Sequence, residues 1–442
     1  MKFSSSISRL KGLSEVRGFQ LYQVFRFGMI FTGGVILAKS SLNIGDLGVF
    51  ETFLFLSTAV SFFWVSGLMN VLLSRYPAMN AEERGKELYG IAVNLYLFNL
   101  LLIICGWAAG PYIQALLPYE ILPYYRLLLI YIFLNNPTYL IEHLLLLNNR
   151  PIRLASYGII QFIAHLTAIV TALYMQSGLE GIFTNLILIA LLKNFLLISL
   201  LKGQAQPFRG LGRPIEQLIN AAPLMGGLLL AGSAEYIDGY LVSSHFGNDA
   251  FAIFRYGARE FPLSLLLANS LSAAFVPRLA ASGSDVQSLE KLKSESKGLM
   301  HLLFPSAILF ILISHWLYPV LFRSQFSQSA GVFNIYLLLV ASRMLFPQAI
   351  VYGHNKSRVV FIIALAELAI NISVSVFLLG FFGIYGVAYG TLIAFMAEKI
   401  LLILYCKYKL GIPPSHFIPI RIWGAYTLGL LLVYILVTSM TL

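Results

Sequence analysis

Runs of about 20 apolar residues follow one another along nearly the whole chain, and this limits the possible folds more than any motif. A run of that length crosses the roughly 30 Å hydrocarbon layer as a helix. In lipid only helices and closed barrels satisfy their own backbone polar groups. The runs fall at about 19–38, 47–73, 88–109, 122–147, 154–175, 182–201, 217–243, 250–276, 299–317, 333–352, 359–379, 384–405 and 417–438. Of the 442 residues, 58% are hydrophobic and 11% charged, against about 25% charged in soluble domains. A soluble globule could not cover so much apolar surface, and disorder requires low hydrophobicity. The expected fold class is an all-α polytopic membrane protein with thirteen spans.

Charge placement orients these spans. With residues 1–18 in the cytoplasm and the spans alternating, inside segments collect 21 of the 30 Lys+Arg and outside segments three, Lys39, Arg126 and Arg323. Positive residues concentrate on the cytoplasmic side of membrane proteins, so the +11 net charge reflects topology and not nucleic-acid binding. The N-terminus is expected inside and the C-terminus outside. No cleavable signal pattern precedes the first span. Residues 1–18 carry Ile7, Leu10, Leu13 and Val16 among basic residues. They fit either a short helix on the inner leaflet or a basic tail.

Loop motifs repeat after about 203–206 residues. Asn148-Asn149-Arg150-Pro151-Ile152-Arg153 matches His354-Asn355-Lys356-Ser357-Arg358. Gly45-Asp46 matches Gly247-Asn248-Asp249, and Arg75 matches Arg278. Gly181-Ile182 matches either Gly383-Ile384 or Gly386-Val387. Six spans per repeat give both halves the same topology, a parallel repeat. The expected organisation is a lobe at 19–201, a polar linker at 202–214, a second lobe at 215–406 and an additional span at 415–438. Paired lobes of this kind suit a transporter with access alternating between the two membrane faces. Glycines in span 1 (Gly28, Gly33, Gly34) and span 7 (Gly226, Gly227, Gly232) point to bending, with close helix packing as the alternative.

Ionisable residues inside spans are costly in hydrocarbon, so each is a functional hypothesis. Arg26 lies in span 1. Glu51 lies early in span 2. Glu235 and Asp238, three apart, lie in span 7, and Arg255 and Arg259, four apart, lie in span 8. At such spacings each pair shares one helix face. The acids and arginines of spans 7 and 8 either neutralise one another or leave the arginines facing a cavity. Arginine binds phosphate oxygens bidentately and stays charged when desolvated, so Arg26, Arg255 and Arg259 are the candidate anion-binding residues. Glu51, Glu235 and Asp238 are candidates for ion coupling or charge balance. Lys399, near a cytoplasmic end, is expected to snorkel. His143, His165 and Glu367 are expected to be satisfied inside the helix bundle. The seven histidines and two cysteines show no metal-ligand spacing, and there is no acid–base constellation. The chain is therefore expected to be neither an enzyme nor a holder of a cofactor or metal.

Several segments resemble the multidrug/oligosaccharidyl-lipid/polysaccharide exporter superfamily. These are Gly45-Asp46-Leu47-Gly48-Val49-Phe50 with Ser66-Gly67-Leu68 and Arg75, then Ile237-Asp238-Gly239-Tyr240-Leu241-Val242, Phe246-Gly247, and Phe275-Val276-Pro277-Arg278-Leu279. The likeness spans about 19–406 and is strongest to its polysaccharide (O-antigen type) flippases. It implies two six-helix lobes, a cationic cavity served by Arg26, Arg255 and Arg259, and a bacterial inner-membrane location. The implied cargo is a polyprenyl-pyrophosphate-linked oligosaccharide, and the implied partners are membrane lipids and polysaccharide-assembly proteins. Glu51, the span-7 acids and the thirteenth span depart from the simplest pattern. An ion-coupled drug or metabolite exporter of the same superfamily is the alternative, with the carboxylates as coupling groups.

Overall fold

The computed structural model describes residues 15–112, 119–207, 212–259, 262–282 and 284–441, which form helices joined by turns and short connections. Residues 1–14 of the N-terminal basic segment, and 208–211 of the polar linker, lie outside the described residues. Contacts group the chain into two compact units, Met1–Leu229 and Leu230–Leu442. The division falls inside the seventh span, whereas the sequence places the linker at 202–214.

The first unit holds α1 (Glu15–Ala38), α2 (Ile44–Ala59), α3 (Phe62–Arg75), α4 (Ala81–Ala108), α5 (Tyr125–Asn135), α6 (Tyr139–Leu147), α7 (Pro151–Tyr174) and α8 (Gly178–Leu201). It ends with the first part of α9 (Gly212–Gly257), whose helical course is broken at Gly247, where φ is 76°. Local chemistry sets the helix starts. The Asp46 N–H donates to Asn43 Oδ1 at 2.7 Å and the Asn43 N–H returns to Asp46 Oδ2 at 3.3 Å, and Asn80 with Glu83 repeats this reciprocal cap. One turn into α4, Lys86 bonds the Glu82 carboxylate and holds it below the usual carboxylate range.

The opening of α9 is tied to α3 and α4. Arg75 pairs with Glu216 at 3.1 Å and Arg213 with the buried Glu87 at 3.4 Å. Asn94 donates to Gln217 Oε1 and to the Pro214 carbonyl, both at 3.0 Å. These bonds explain why residues up to 229 belong with the first unit. A core of Trp64, Leu68, Leu72, Leu95, Leu140 and Leu154 fills the space between α3, α4, α6 and α7.

The second unit continues α9 and adds α10 (Pro262–Ser282), α11 (Val286–Leu321), α12 (Ser327–Leu337), α13 (Val340–Arg343), α14 (Pro347–Gly353), α15 (Ser357–Phe382), α16 (Ile384–Lys409), α17 (Pro414–Phe417) and α18 (Ile420–Thr441). Among the described residues nine helices are each long and apolar enough to cross a membrane, and three bent pairs raise the number to twelve. The remaining span expected from the sequence is α5 with α6, joined by a 3-10 turn at Asn136–Thr138. The protein is a multi-pass, all-helical membrane protein.

The repeat is visible in backbone geometry. Asn149 (φ 52°) and Asn355 (φ 57°) occupy the left-handed region at corresponding turns. The Arg150 N–H bonds the Leu145 carbonyl, and the Lys356 N–H bonds that of Val351, both at 3.1 Å. These are matching helix ends closed by an asparagine that tolerates positive φ. Gly178 (φ 62°) and Gly383 (φ 58°) also correspond, which selects the Gly181–Gly386 register over Gly181–Gly383.

The glycines of span 1 pack and do not bend. The helix α1 is continuous, and a Cβ on Gly33 would meet Ile169 Cδ1 at 3.2 Å, so α1 lies close against α7. Span 7 does change direction, at Leu230–Gly232. Span 2 is broken between α2 and α3 with a 47° bend, where the Trp64 indole N–H bonds the freed Val60 carbonyl at 2.9 Å.

In the second unit Gly390 of α16 sits against α15. A Cβ there would lie 2.7 Å from both the N and Cα of Ser375, backbone that cannot swing aside. Gly390→Ala is expected to destabilise the protein by about 1–3 kcal/mol, read as a lower melting temperature in detergent. Gly380→Ala on the same α15–α16 hairpin, where nothing lies within 4 Å, should leave it unchanged. Equal melting temperatures for the two variants would refute the close-packing role.

Candidate functional site

In the first unit, Tyr22 and Arg26 lie one turn apart on α1 and so share a face. Both address Glu142 of α6. The Tyr22 hydroxyl donates to Glu142 Oε2, and Arg26 Nη1 lies 3.6 Å from Glu142 Oε1. The Arg26 guanidinium also sits over the Tyr139 ring at 5.7 Å. Glu142 is nearly enclosed, whereas the Arg26 side chain keeps 37% of its surface. His143 Nδ1 bonds the Tyr139 carbonyl at 2.8 Å, the satisfied state expected for it. On α8, Lys193 donates to Asn135 Oδ1 at 3.0 Å, at the break between α5 and α6. Glu51 is buried on α2.

In the second unit the two acids of span 7 have different surroundings. Glu235 pairs with Arg255 at 3.0 Å, and its side chain is 67% exposed. Asp238 is buried, and its neighbours are hydroxyls. Thr391 donates to Asp238 Oδ2, and the Tyr336 hydroxyl approaches the same oxygen at 3.5 Å. The Asn371 amide bonds Thr391 Oγ1 at 3.1 Å. Asn371 and Ser375 are one turn apart on α15, as are Val387 and Thr391 on α16, and Gly390 lets these faces meet. The Ser375 hydroxyl donates to the Val387 carbonyl at 3.4 Å. Two buried oxygens in this cluster, Asp238 Oδ1 and Asn371 Oδ1, have no hydrogen-bond partner among the described residues. No group of three or more His, Cys, Asp or Glu arranged for a metal occurs among the described residues. The cluster is instead a cage of neutral oxygens around one carboxylate, a donor set suited to a hard cation.

Two expectations from helical spacing need correction. Arg255 and Arg259 do not share a helix face, because α9 ends at Gly257 and Arg259 lies beyond it. The helix α10 then starts at Pro262, a residue that can begin a helix but lacks the N–H to continue one. Arg259 stacks over the buried Tyr256 ring at 5.2 Å. Lys399 does not snorkel. It is buried and pairs with its neighbour Glu398 at 2.8 Å, because inward-facing positions of α16 offer no route to water. Sequence spacing alone does not single out Glu142, Tyr336, Asn371 or Thr391 as site residues. An in-span Asn followed one turn later by Ser, facing a Gly-Thr pair on the next helix, is the signal that finds Asn371 and Thr391.

The family model described as lipid II flippase MurJ matches residues 157–442. A solved lipid II flippase MurJ in an inward closed conformation is 18% identical, with a TM-score of 0.67 over 95% of this chain and 98% of that one. An inward-facing multidrug resistance MATE family transporter of the MOP superfamily is 14% identical, with a TM-score of 0.66 over 90% and 96%. The Vibrio cholerae MATE transporter VcmN, solved as a point mutant, is 17% identical, with a TM-score of 0.60 over 93% and 100%. No curated protein matches the chain. The structures establish a shared fold, and the family match places the chain in the MurJ branch and not the O-antigen branch that the sequence resembled. With 286 of its 442 residues matched, the chain belongs to the lipid II flippase MurJ family.

Proposed function

We propose that the protein moves a polyprenyl-pyrophosphate-linked saccharide across the bacterial inner membrane by alternating access, with Arg26, Arg255 and Arg259 engaging the pyrophosphate. Membership of a flippase family carries this proposal. The exposure of charged groups within spans supports it. Arg26 and Glu235 keep much of their side-chain surface, and hydrocarbon does not tolerate such groups, so they border water. The family's name makes lipid II the first cargo to test. A surface-polysaccharide repeat unit has the same pyrophosphate and polyprenyl chemistry and is the second cargo to test.

Depletion and complementation separate the two cargoes. Rescue of cell-wall synthesis identifies lipid II, and rescue of surface polysaccharide alone identifies the repeat unit. Arg26→Ala and Arg255→Ala are each expected to lower translocation at least about tenfold while the protein still inserts, with Arg26→Lys intermediate because lysine lacks the planar fork. Arg26→Ala also strands the enclosed Glu142, so Arg26→Ala/Glu142→Gln is the informative comparison. It should recover melting temperature but not transport. Recovered transport in the double variant would reduce Arg26 to charge balance.

The Asp238 cage gives the proposal its driving force. Asp238, Thr391 and Asn371 would hold an alkali cation whose gradient is coupled to movement of the cargo. Sodium is expected to raise the melting temperature of the purified protein, and Asp238→Asn to abolish that rise together with sodium-stimulated transport. A sodium response that survives Asp238→Asn would remove the cage from the coupling path. Glu235, exposed and paired with Arg255, would then be the remaining span-7 acid for that role, as a drug-exporter mechanism would require.

A further inference from the structure

The start of α11 presents Glu290, Lys293, Ser294 and Lys297 at spacings of three and four, a single helical face. This face lines a cavity of about 750 Å³ whose other wall is the elbow between α17 and α18, including Ser415, Ile418, Ile420 and Arg421. Three cations meet one carboxylate there. Lys293 spends one donor on the Ser415 carbonyl at 2.6 Å. Lys297 and Arg421 have no hydrogen bond or ion pair among the described residues, and both are exposed. Ile418, Ile420 and Ile422 supply an apolar floor.

The aromatic residues beside the cavity are of the kind that gather where a membrane changes from headgroup to acyl chain. Trp423, two residues past Arg421, donates its indole N–H to the Ala341 carbonyl at 2.9 Å. Tyr426 and His301 meet at 2.7 Å one turn further along both helices. Trp and Tyr mark the membrane interface, and beyond them α11 and α18 are apolar. In the best window of α18 only 6% of residues are buried, so the face of this helix turned away from α11 is left for lipid. The positive-inside count assigns this end to the cytoplasm.

We propose that this cavity is a binding site for an anionic phospholipid of the inner leaflet. Its phosphate sits between Lys297 and Arg421, with Lys293 behind, and its acyl chains lie along α18. Charge complementarity and the apolar floor fix the occupant. A free phosphate would leave the isoleucines unused, and a zwitterionic lipid would leave the excess positive charge uncompensated. Basic pockets between spans on the cytoplasmic side recognise lipid headgroups in this way. The bound lipid would hold α18, the span outside the six-plus-six repeat, against α11.

The test uses the full chain purified in neutral detergent and titrated with phosphatidylglycerol, phosphatidylcholine or inorganic phosphate. Native mass spectrometry reads bound lipid, and melting temperature reads stabilisation. Phosphatidylglycerol is expected to bind and stabilise, and the other two are not. Lys297→Gln/Arg421→Gln should weaken phosphatidylglycerol binding roughly 30-fold, about fivefold for each cation lost, with the lipid-free melting temperature unchanged. Glu290→Gln should tighten binding severalfold, which keeps the proposal testable if the double variant folds poorly. Equal retention of the two lipids, stabilisation by phosphate alone, or unchanged affinity in both variants would each overturn it.

Discussion

An ionised group taken into hydrocarbon must bring a partner or reach water, and the interior of this protein is arranged around that cost. Glu142 is enclosed and receives Tyr22 and Arg26. Glu398 and Lys399, buried side by side, neutralise each other. Asp238 accepts from the Thr391 hydroxyl, with the Tyr336 hydroxyl at 3.5 Å from the same oxygen. Once these partnerships are set, the incompletely satisfied groups stand out. Among them are Arg26, held at 3.6 Å and still partly exposed, and the unpartnered Oδ1 atoms of Asp238 and Asn371. These departures from full pairing support the functional proposal, which family membership carries.

Breaks in the helices carry the same logic into the backbone. Spans 2, 4, 8 and 10 are interrupted, at 60–61, at 136–138, after Gly257 and at 344–346. Spans 2 and 8 correspond in the repeat, as do 4 and 10, so the interruptions belong to the architecture and not to one local proline. A broken helix frees carbonyls and N–H groups, and lipid-facing breaks are not tolerated. Polar and charged side chains gather near them: Trp64 bonds a freed carbonyl, Lys193 reaches Asn135, Arg259 follows the end of α9 and Arg343 closes α13. Discontinuous helices of this kind are where transporters place their binding chemistry.

Much of the fold was legible in the sequence because hydrocarbon thickness imposes a length on each span. The Asn149 and Asn355 turns were legible because a left-handed residue closing a helix leaves a recurring polar signature. Side-chain partnership was not legible, for reasons that differ by residue. Glu142 lies far along the chain from Arg26, on a helix five elements later, and no spacing rule links them. Thr391 and Asn371 are uncharged and do not stand out among in-span polar residues. The shared face of Arg255 and Arg259 failed because helical spacing assumes an unbroken helix, and Pro262 restarts the helix only after Arg259.

Pairing of Arg255 does not argue against an anion-binding role for it. The energy of an ion pair depends on how far both charges are removed from water. Glu235 is 67% exposed, and exposed pairs contribute about 1 kcal/mol or less. A pyrophosphate carries more charge than a carboxylate and offers several oxygens to the guanidinium fork, so it can displace Glu235 at small cost. The Arg26–Glu142 pair is different, because Glu142 is enclosed and anchored by Tyr22. Removing Arg26 from it would leave a buried carboxylate with a single donor. On the proposed function, Arg26 would then serve as a fixed cation of defined position, and Arg255 as one released when a stronger anion arrives.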